Sequence, residues 1–197
     1  MPTPASVVTD KHVAVMVADG LEEVECLAVV DVLFRAGIAA DLLSISDSLE
    51  VTSSHGIHLR CDALASQVNL ADYALMFLPG GMPGTLNLGA SALVTDEVCR
   101  RSAAGQPLAA ICAAPSILAE HGALQARHAT ANPGFMDAIA AGGALMSEAA
   151  VVRDANLITS RGMGTATELG FEIIRLLLGD DAEQVVASVK QGIVYQR

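Results

Sequence analysis

Tryptophan is absent from this 197-residue chain, and the aromatic share is only 3%. The core must therefore be built from Ala, Val, Leu and Ile, and a chain of this length can bury one without disulfides or metals to staple it. Basic residues are scarce too: 11 Lys and Arg against 22 Asp and Glu give a net charge of −11. Such a field repels phosphate backbones, so no nucleic-acid surface is expected. Long apolar runs are missing despite a mean hydropathy of +0.48. Glu25 and Asp31 interrupt the greasiest stretch, Val24 to Phe34, and a membrane span needs roughly 18 apolar residues. The opening MPTPASVVTDK has neither the basic start nor the apolar centre of a signal peptide. It reads as a loose tail over 1–11 before a single domain over 12–197, with no membrane partner and a cytoplasmic address expected. Hydrophobic residues at 52% and charged ones at 17% exclude disorder for most of the chain.

Paired-cysteine spacing is also missing. Cys26, Cys61, Cys99 and Cys112 are scattered without a CxxC, so neither a zinc site nor a disulfide framework is indicated, and no cofactor is called for. In a reducing compartment the four stay thiols.

Short aliphatic runs alternate with helical patterns. Strands are expected at His12–Val17, Ile38–Ile45, Ala74–Leu78 and Leu108–Ile111, with two short extended pieces within Val51–Leu59. A hairpin is expected around Asp154-Ala155-Asn156, and helices at Leu21–Ala36, Thr95–Ala104, from Pro115, at Thr165–Leu178 and at Ala182–Val189. Continuous apolar strands alternating with helices indicate an α/β fold with a mostly parallel sheet covered on both faces. Ligands in such folds lie at the carboxyl ends of the strands. Three corners are thereby singled out: Ala18-Asp19-Gly20, Pro79-Gly80-Gly81 and Cys112-Ala113-Ala114.

Cys112 stands between a buried strand and a helix start, where the positive helix end favours thiolate. The arrangement parallels a strand–nucleophile–helix elbow. A small buried cysteine filling space would look the same, and position alone leaves both readings open. The paired glycines 80 and 81 present N–H groups without side-chain obstruction, and with the N–H of Ala113 they could form an oxyanion hole. Glu25 sits further along a helix that is apolar almost all round from Val24, so it is expected to be a desolvated carboxyl with a raised pKa. Protonated, it could donate to a thiolate. Glu22 and Glu23 fit the first turn of a helix instead, and Asp31 and Arg35 an i,i+4 ion pair. Cys26, Cys61 and Cys99 read as filler, Cys99 on an exposed-looking helix beside Arg100 and Arg101.

The segments ADGLEEVECLAVVDVLFRAGI at 18–38, LPGG at 78–81, AAICAAPSILA at 109–119 and TSRGMGT at 159–165 together resemble the ThiJ/PfpI superfamily. The similarity is to the branch holding the Parkinson-disease-associated deglycase and its YajL-type bacterial relatives. It runs over nearly everything from Val13 onward. It implies a flavodoxin-like three-layer sandwich, like that of class I glutamine amidotransferases, and a homodimer. It implies a nucleophilic Cys112, a protonated Glu25 bonded to it, and backbone donors at Gly81 and Ala113. Gly80, Gly81 and Asn132 would line the substrate site and Arg161 would brace its loop. The implied activity is that of a cofactor-independent glyoxalase or deglycase acting on methylglyoxal, another small 2-oxoaldehyde, or a glycated adduct. The alternative is an oxidative-stress sensor or redox-regulated chaperone using Cys112 oxidation. Departures from the pattern are Ala113, where proteases of the superfamily often carry His, and Asn132, where some relatives place a His. His55 replaces an Arg, and Met163 a common Pro.

Overall fold

A computed structural model describes residues 6–196. Its strands are β1 (His12–Val17), β2 (Ala39–Ser44), β3 (Glu50–Thr52), β4 (His58–Arg60), β5 (Ala63–Leu64), β6 (Leu75–Leu78), β7 (Leu108–Ile111), β8 (His128–Ala129), β9 (Leu145–Met146), β10 (Val151–Asp154) and β11 (Leu157–Ser160). The α-helices are α1 (Glu23–Arg35), α2 (Gly84–Ala90), α3 (Ala92–Ala104), α4 (Pro115–Glu120), α5 (Met136–Ala141), α6 (Ala166–Leu178) and α7 (Ala182–Gly192).

Seven strands form one sheet in the order β10-β11-β7-β6-β1-β2-β5. All neighbours are parallel except the β10–β11 hairpin, as the turn at Asp154-Ala155-Asn156 requires. Strand alternation divides the core into two layers. Val13, Val15, Val17, Leu75, Phe77, Ala109 and Ile111 face α1, α6 and α7. Ala14, Met16, Met76, Leu78, Leu108 and Ala110 face the layer with Val94, Val98 and Leu118 from α3 and α4. Both faces of the central strands are fully buried, which is why they read as unbroken apolar runs. On the first face α1 crosses α6 closely: a Cβ at Gly170 would stand 2.7 Å from Val32 Cγ1. The chain leaves β1 toward β2 on one side and later places β6 on the other. The strand order therefore reverses between β1 and β6, where such sheets open a crevice.

The elements differ from the expected ones mainly where they are short. The helix at Gly84–Ala90 was not anticipated because its GTLNLGA sequence carries two glycines, each about 1 kcal/mol poorer than Ala in a helix. The six-residue α5 and the two-residue β8 and β9 are too short for a periodic signal. Within the expected loose tail, residues 1–5 lie outside the described residues. From Ser6 on it is anchored: Val8 N–H donates to Gly37 O at 3.1 Å, and Lys11 Nζ to Leu177 O at 2.6 Å. Among the described residues no helix is long and apolar enough to cross a membrane.

Two expectations about surfaces need correction. The α3 helix is not exposed throughout: Arg101 is fully buried. Its guanidinium donates to Glu97 Oε1 at 2.7 Å, Leu70 O at 2.8 Å and Tyr73 O at 2.7 Å. The charge is tolerated because every face of it finds an acceptor. Nor is α1 buried on all sides, since Val24 and Leu27 stand exposed beside Asp31. Asp31 forms the expected pair with Arg35 at 2.7 Å.

Candidate active site

Segments distant in sequence meet at the carboxyl edge of the central strands. The first turn of α1 is fixed by Glu22, whose carboxylate accepts the Glu25 N–H at 2.6 Å while its own N–H donates to Gly80 O at 2.9 Å. This turn carries Glu25 over the end of β6, where it is 1% exposed and Gly80 N–H donates to its Oε2 at 3.1 Å. Gly80 is the point of closest approach. A Cβ there would stand 2.6 Å from Cys112 Cβ and closer still to Glu25 Oε2. Gly81 follows at φ +96°, a conformation that favours glycine.

Cys112 follows β7 at φ +63°, a left-handed backbone that costs a non-glycine residue about 1–3 kcal/mol. Two partners hold it there: its N–H donates to Ser160 O at 2.9 Å, and its carbonyl accepts the Asn132 N–H at 2.9 Å. The half-buried thiol then lies beside Glu25 and within reach of the Gly81 and Ala113 N–H groups. Neither N–H donates to a backbone carbonyl among the described residues. The fourth wall is the loop after β11. A Cβ at Gly162 would stand 3.6 Å from Asn132 Nδ2, 3.7 Å from Glu25 Oε1 and 4.0 Å from Cys112 Sγ.

Desolvation raises the Glu25 carboxyl to about 7; the adjacent Glu22 charge adds to this, while the Cys112 thiol and the Gly80 and Met163 N–H groups oppose it. Burial likewise pushes the Cys112 thiol up to about 12, reinforced by the Glu25 charge and opposed by the Ala113 and Gly81 N–H groups. The thiolate expected from a helix N-terminus is thus not the resting form while Glu25 is ionised. The physical reasons are two: the Cys112 thiol is desolvated by burial, and it faces the Glu25 carboxylate. Two coupled groups of this kind exchange a proton between them. The pair can pass the thiol proton to the carboxylate as sulfur attacks, and return it later.

The sequence candidates Cys112, Glu25, Gly80, Gly81, Ala113 and Asn132 all converge here. The Asn132 Oδ1 accepts Gly134 N–H at 3.1 Å, which leaves Nδ2 toward Gly162. Arg161 stands apart: its guanidinium donates to Glu148 O at 2.9 Å and its N–H to Ala150 O at 3.1 Å, so it braces the loop.

A sequence model of the DJ-1/PfpI family matches residues 11–176. The chain belongs to the DJ-1/PfpI family. It is 36% identical to Protein dj-1beta of Drosophila melanogaster over 177 residues, covering 90% of this chain and 95% of that protein. It is 29% identical to the glutathione-independent glyoxalase DJR-1.2 of Caenorhabditis elegans over 160 residues, covering 81% and 84% of the two. The structure of oxidized Toxoplasma gondii DJ-1 superposes with a TM-score of 0.87 at 32% identity, over 95% of this chain and all of that one. The fold is accordingly the flavodoxin-like α/β sandwich of DJ-1 proteins.

Within this DJ-1/PfpI fold the other cysteines lie elsewhere. Cys26 and Cys61 are buried and their thiols are pushed up by desolvation, Cys61 to about 11. Cys99 is exposed on α3, its sulfur 3.8 Å from His121 Nδ1. His55 is tied to Glu23 at 2.9 Å, which raises the imidazole. Burial alone would raise Glu23 too, but hydrogen bonds from its backbone, His55 and Ser53 hold it below the usual range. Donor atoms of Glu22, Glu23 and His55 lie within 4.8 Å of one another, a grouping that the Glu23–His55 ion pair accounts for. A cavity of about 350 Å³ that includes Phe171, Arg175, Lys190 and Tyr195 in its wall is separate from the Cys112 site. The contributions that sequence reasoning missed are backbone ones, the Ser160 carbonyl and the Met163 N–H. Neither has a side-chain signature.

Proposed function

We propose that the protein is a cysteine-dependent glyoxalase or deglycase, acting on methylglyoxal or on glyoxal-type adducts. The observation that carries this reading is a carboxyl 1% exposed set against a thiol that the Gly81 and Ala113 N–H groups also face. Sulfur of Cys112 adds to the aldehyde carbon of a 2-oxoaldehyde while Glu25 takes the thiol proton. The carbonyl oxygen gathers charge facing the Gly81 and Ala113 N–H groups and is protonated by Glu25, giving a hemithioacetal. The Glu25 carboxylate then removes the proton on the former aldehyde carbon and returns it to the neighbouring keto carbon, while the hydroxyl proton of the hemithioacetal passes to the keto oxygen. One carbon is oxidised as the other is reduced, leaving a 2-hydroxy thioester. Water hydrolyses the thioester to the hydroxy acid and frees the thiol. The sequence needs no external oxidant and no cofactor. Asn132 Nδ2 supplies a donor on the Gly162 side for the second substrate oxygen. The name of the Caenorhabditis elegans relative supports the activity class.

The test is methylglyoxal consumption by Cys112→Ser and Glu25→Ala proteins. Both are expected to be inactive, and parent-like turnover by either overturns the proposal. A homodimer belongs to the same reading. Exposed Val24 and Leu27 on α1 and Ile57 on the neighbouring β3–β4 turn support such a self-association face. Light scattering of parent and Val24→Asp proteins tests it, with a monomeric parent the contrary result.

A second reading, a stress sensor or redox-regulated chaperone using Cys112 oxidation, is favoured by the same donors. The Gly81 and Ala113 N–H groups and a protonated Glu25 would bond the oxygens of a sulfinic acid formed with peroxide. Intact-mass and peptide spectra under graded peroxide test it; oxidation spread evenly over the four cysteines counts against it.

A further inference from the structure

The structure assigns Thr159 a positioning role: its buried hydroxyl holds the limb that carries Asn132 against Cys112. This deepens the proposed use of Asn132 as a substrate donor and rests on that reading. Three segments distant in sequence are tied together here. Cys112 N–H donates to Ser160 O, Asn132 N–H donates to Cys112 O, and Thr130 N–H donates to Thr159 Oγ1, each at 2.9 Å. Thr159 and Ser160 are neighbours on β11, so the three bonds close a ring. Ser160 holds the limb of the nucleophile through its backbone. Thr159 holds the Asn132 limb through its side chain.

A hydroxyl is needed because the backbone ladder stops short. β8 pairs with β9 only over His128 and Ala129, and Thr130 N–H has no backbone acceptor among the described residues. Thr130, Ala131, Thr159 and Ser160 are all fully buried, so bulk water supplies no acceptor either. The Thr130 hydroxyl has no partner of its own among the described residues, which leaves the bond to Thr159 as the hold on this residue. Thr159 is also chemically out of place. Its predecessors Leu157 and Ile158 belong to the two core layers, and by strand alternation Thr159 shares the face of Leu157. A valine would fill the same volume there; the oxygen is what Thr130 N–H requires. From Thr130 the limb runs through one buried residue to Asn132, whose Oδ1 accepts Gly134 N–H at 3.1 Å. A Cβ at Gly162 would stand 3.6 Å from Asn132 Nδ2 and 4.0 Å from Cys112 Sγ, so amide and sulfur flank one space. A shift of the limb moves both the Asn132 amide and its grip on the Cys112 carbonyl.

Thr159→Val removes the acceptor and keeps the shape, whereas Thr159→Ser keeps the acceptor and loses a methyl. The first readout is amide hydrogen exchange of the intact protein, followed by NMR. In the parent, Thr130 N–H should be protected like the amides of the strand ladders; exchange at the rate of an exposed loop overturns the proposal without any variant. In Thr159→Val the Thr130 and Asn132 amides should exchange about tenfold faster, the effect of one buried bond left unmade, with β1 and β6 amides unchanged. A uniform rise over all amides, or none at 130 and 132, overturns it. The second readout is methylglyoxal kinetics. Thr159→Val should raise KM about tenfold while kcat changes by less than about twofold, since the Asn132 donor binds substrate rather than reacting with it. Thr159→Ser should restore the parent KM. In an Asn132→Ala background, which keeps the backbone N–H, the Val substitution should raise KM no further; a merely structural disturbance would persist there. A loss confined to kcat, a Ser variant as impaired as Val, or an equal Val effect without the Asn132 side chain overturns the proposal. A parent that consumes no methylglyoxal defeats the glyoxalase reading alone, because hydrogen exchange decides the role of Thr159 without substrate.

Discussion

Replacing Glu25 by Gln should make the protein more stable at neutral and alkaline pH while disabling its thiol. Burial raises the folded-state carboxyl from 4.5 to about 7. The folded state therefore binds a proton that the unfolded chain has released between those values, and stability falls as pH rises across that window. The contribution is fully present below about 4.5, is lost by about 7, and stays level above. At 1.36 kcal/mol per pKa unit the span is worth roughly 3 kcal/mol. Glu25 is 1% exposed, so solvent screening takes little from that figure. Cys112, raised from 9.0 to about 12, is protonated in both states throughout this range and adds no slope. A Gln of the same length keeps an oxygen for the Gly80 N–H and carries no charge to desolvate. Its amide fits the thiol less well, which offsets about 1 kcal/mol. Urea unfolding of parent and Glu25→Gln proteins at pH 4, 5, 6, 7 and 8 measures the difference. It should be near zero or unfavourable to Gln at pH 4, and favour Gln by about 2 kcal/mol at pH 8. A difference that does not change with pH, or a parent more stable at pH 8, would refute the assignment of Glu25 as the strained carboxyl.

Gly80→Ala should abolish Cys112 alkylation and cost about 1–3 kcal/mol, because its Cβ would fall 2.6 Å from Cys112 Cβ; thiol labelling and chemical denaturation check both. Arg101→Ala leaves Glu97 its Arg100 partner, but it removes the donors to the Leu70 and Tyr73 carbonyls and opens a cavity at a fully buried side chain. A loss of about 2–4 kcal/mol is expected, read as a Tm lower by roughly 10 °C in calorimetry. Under native conditions a small alkylating reagent should mark Cys99 and Cys112 while Cys26 and Cys61 stay unmodified until the chain unfolds. Early labelling of Cys26, seen by peptide mapping, would contradict its burial.

The parts of the fold legible in the sequence were those with a strong local period or an uninterrupted apolar run. The buried central strands at 75–78 and 108–111 are apolar on both faces, so composition alone reveals them. Gly84–Ala90 was invisible because its glycines hide a helix that packing enforces. Cys112 and Glu25 were legible because a carboxylate beyond the first turn of an apolar helix, and a cysteine at a strand end, are chemically out of place. The buried Arg101 was not, since two of its acceptors are carbonyls about 30 residues away at Leu70 and Tyr73. The protonation of Cys112 depends on a contact spanning α1 and β7, which no local pattern contains.

The sheet order has a consequence for how reactivity arises during folding. Glu25 hangs from the helix after β1, Gly80 from β6, Cys112 from β7 and Met163 from the loop after β11, and these strands are neighbours only in the finished order. No contiguous fragment lacking either end of that span holds all four groups. A partly folded or truncated chain would expose Cys112 as an ordinary thiol, without its left-handed backbone or its carboxyl companion. The coupled titration of Cys112 is therefore a signature of the whole sheet, and loss of its acid limb would signal failed assembly even where helical content survives.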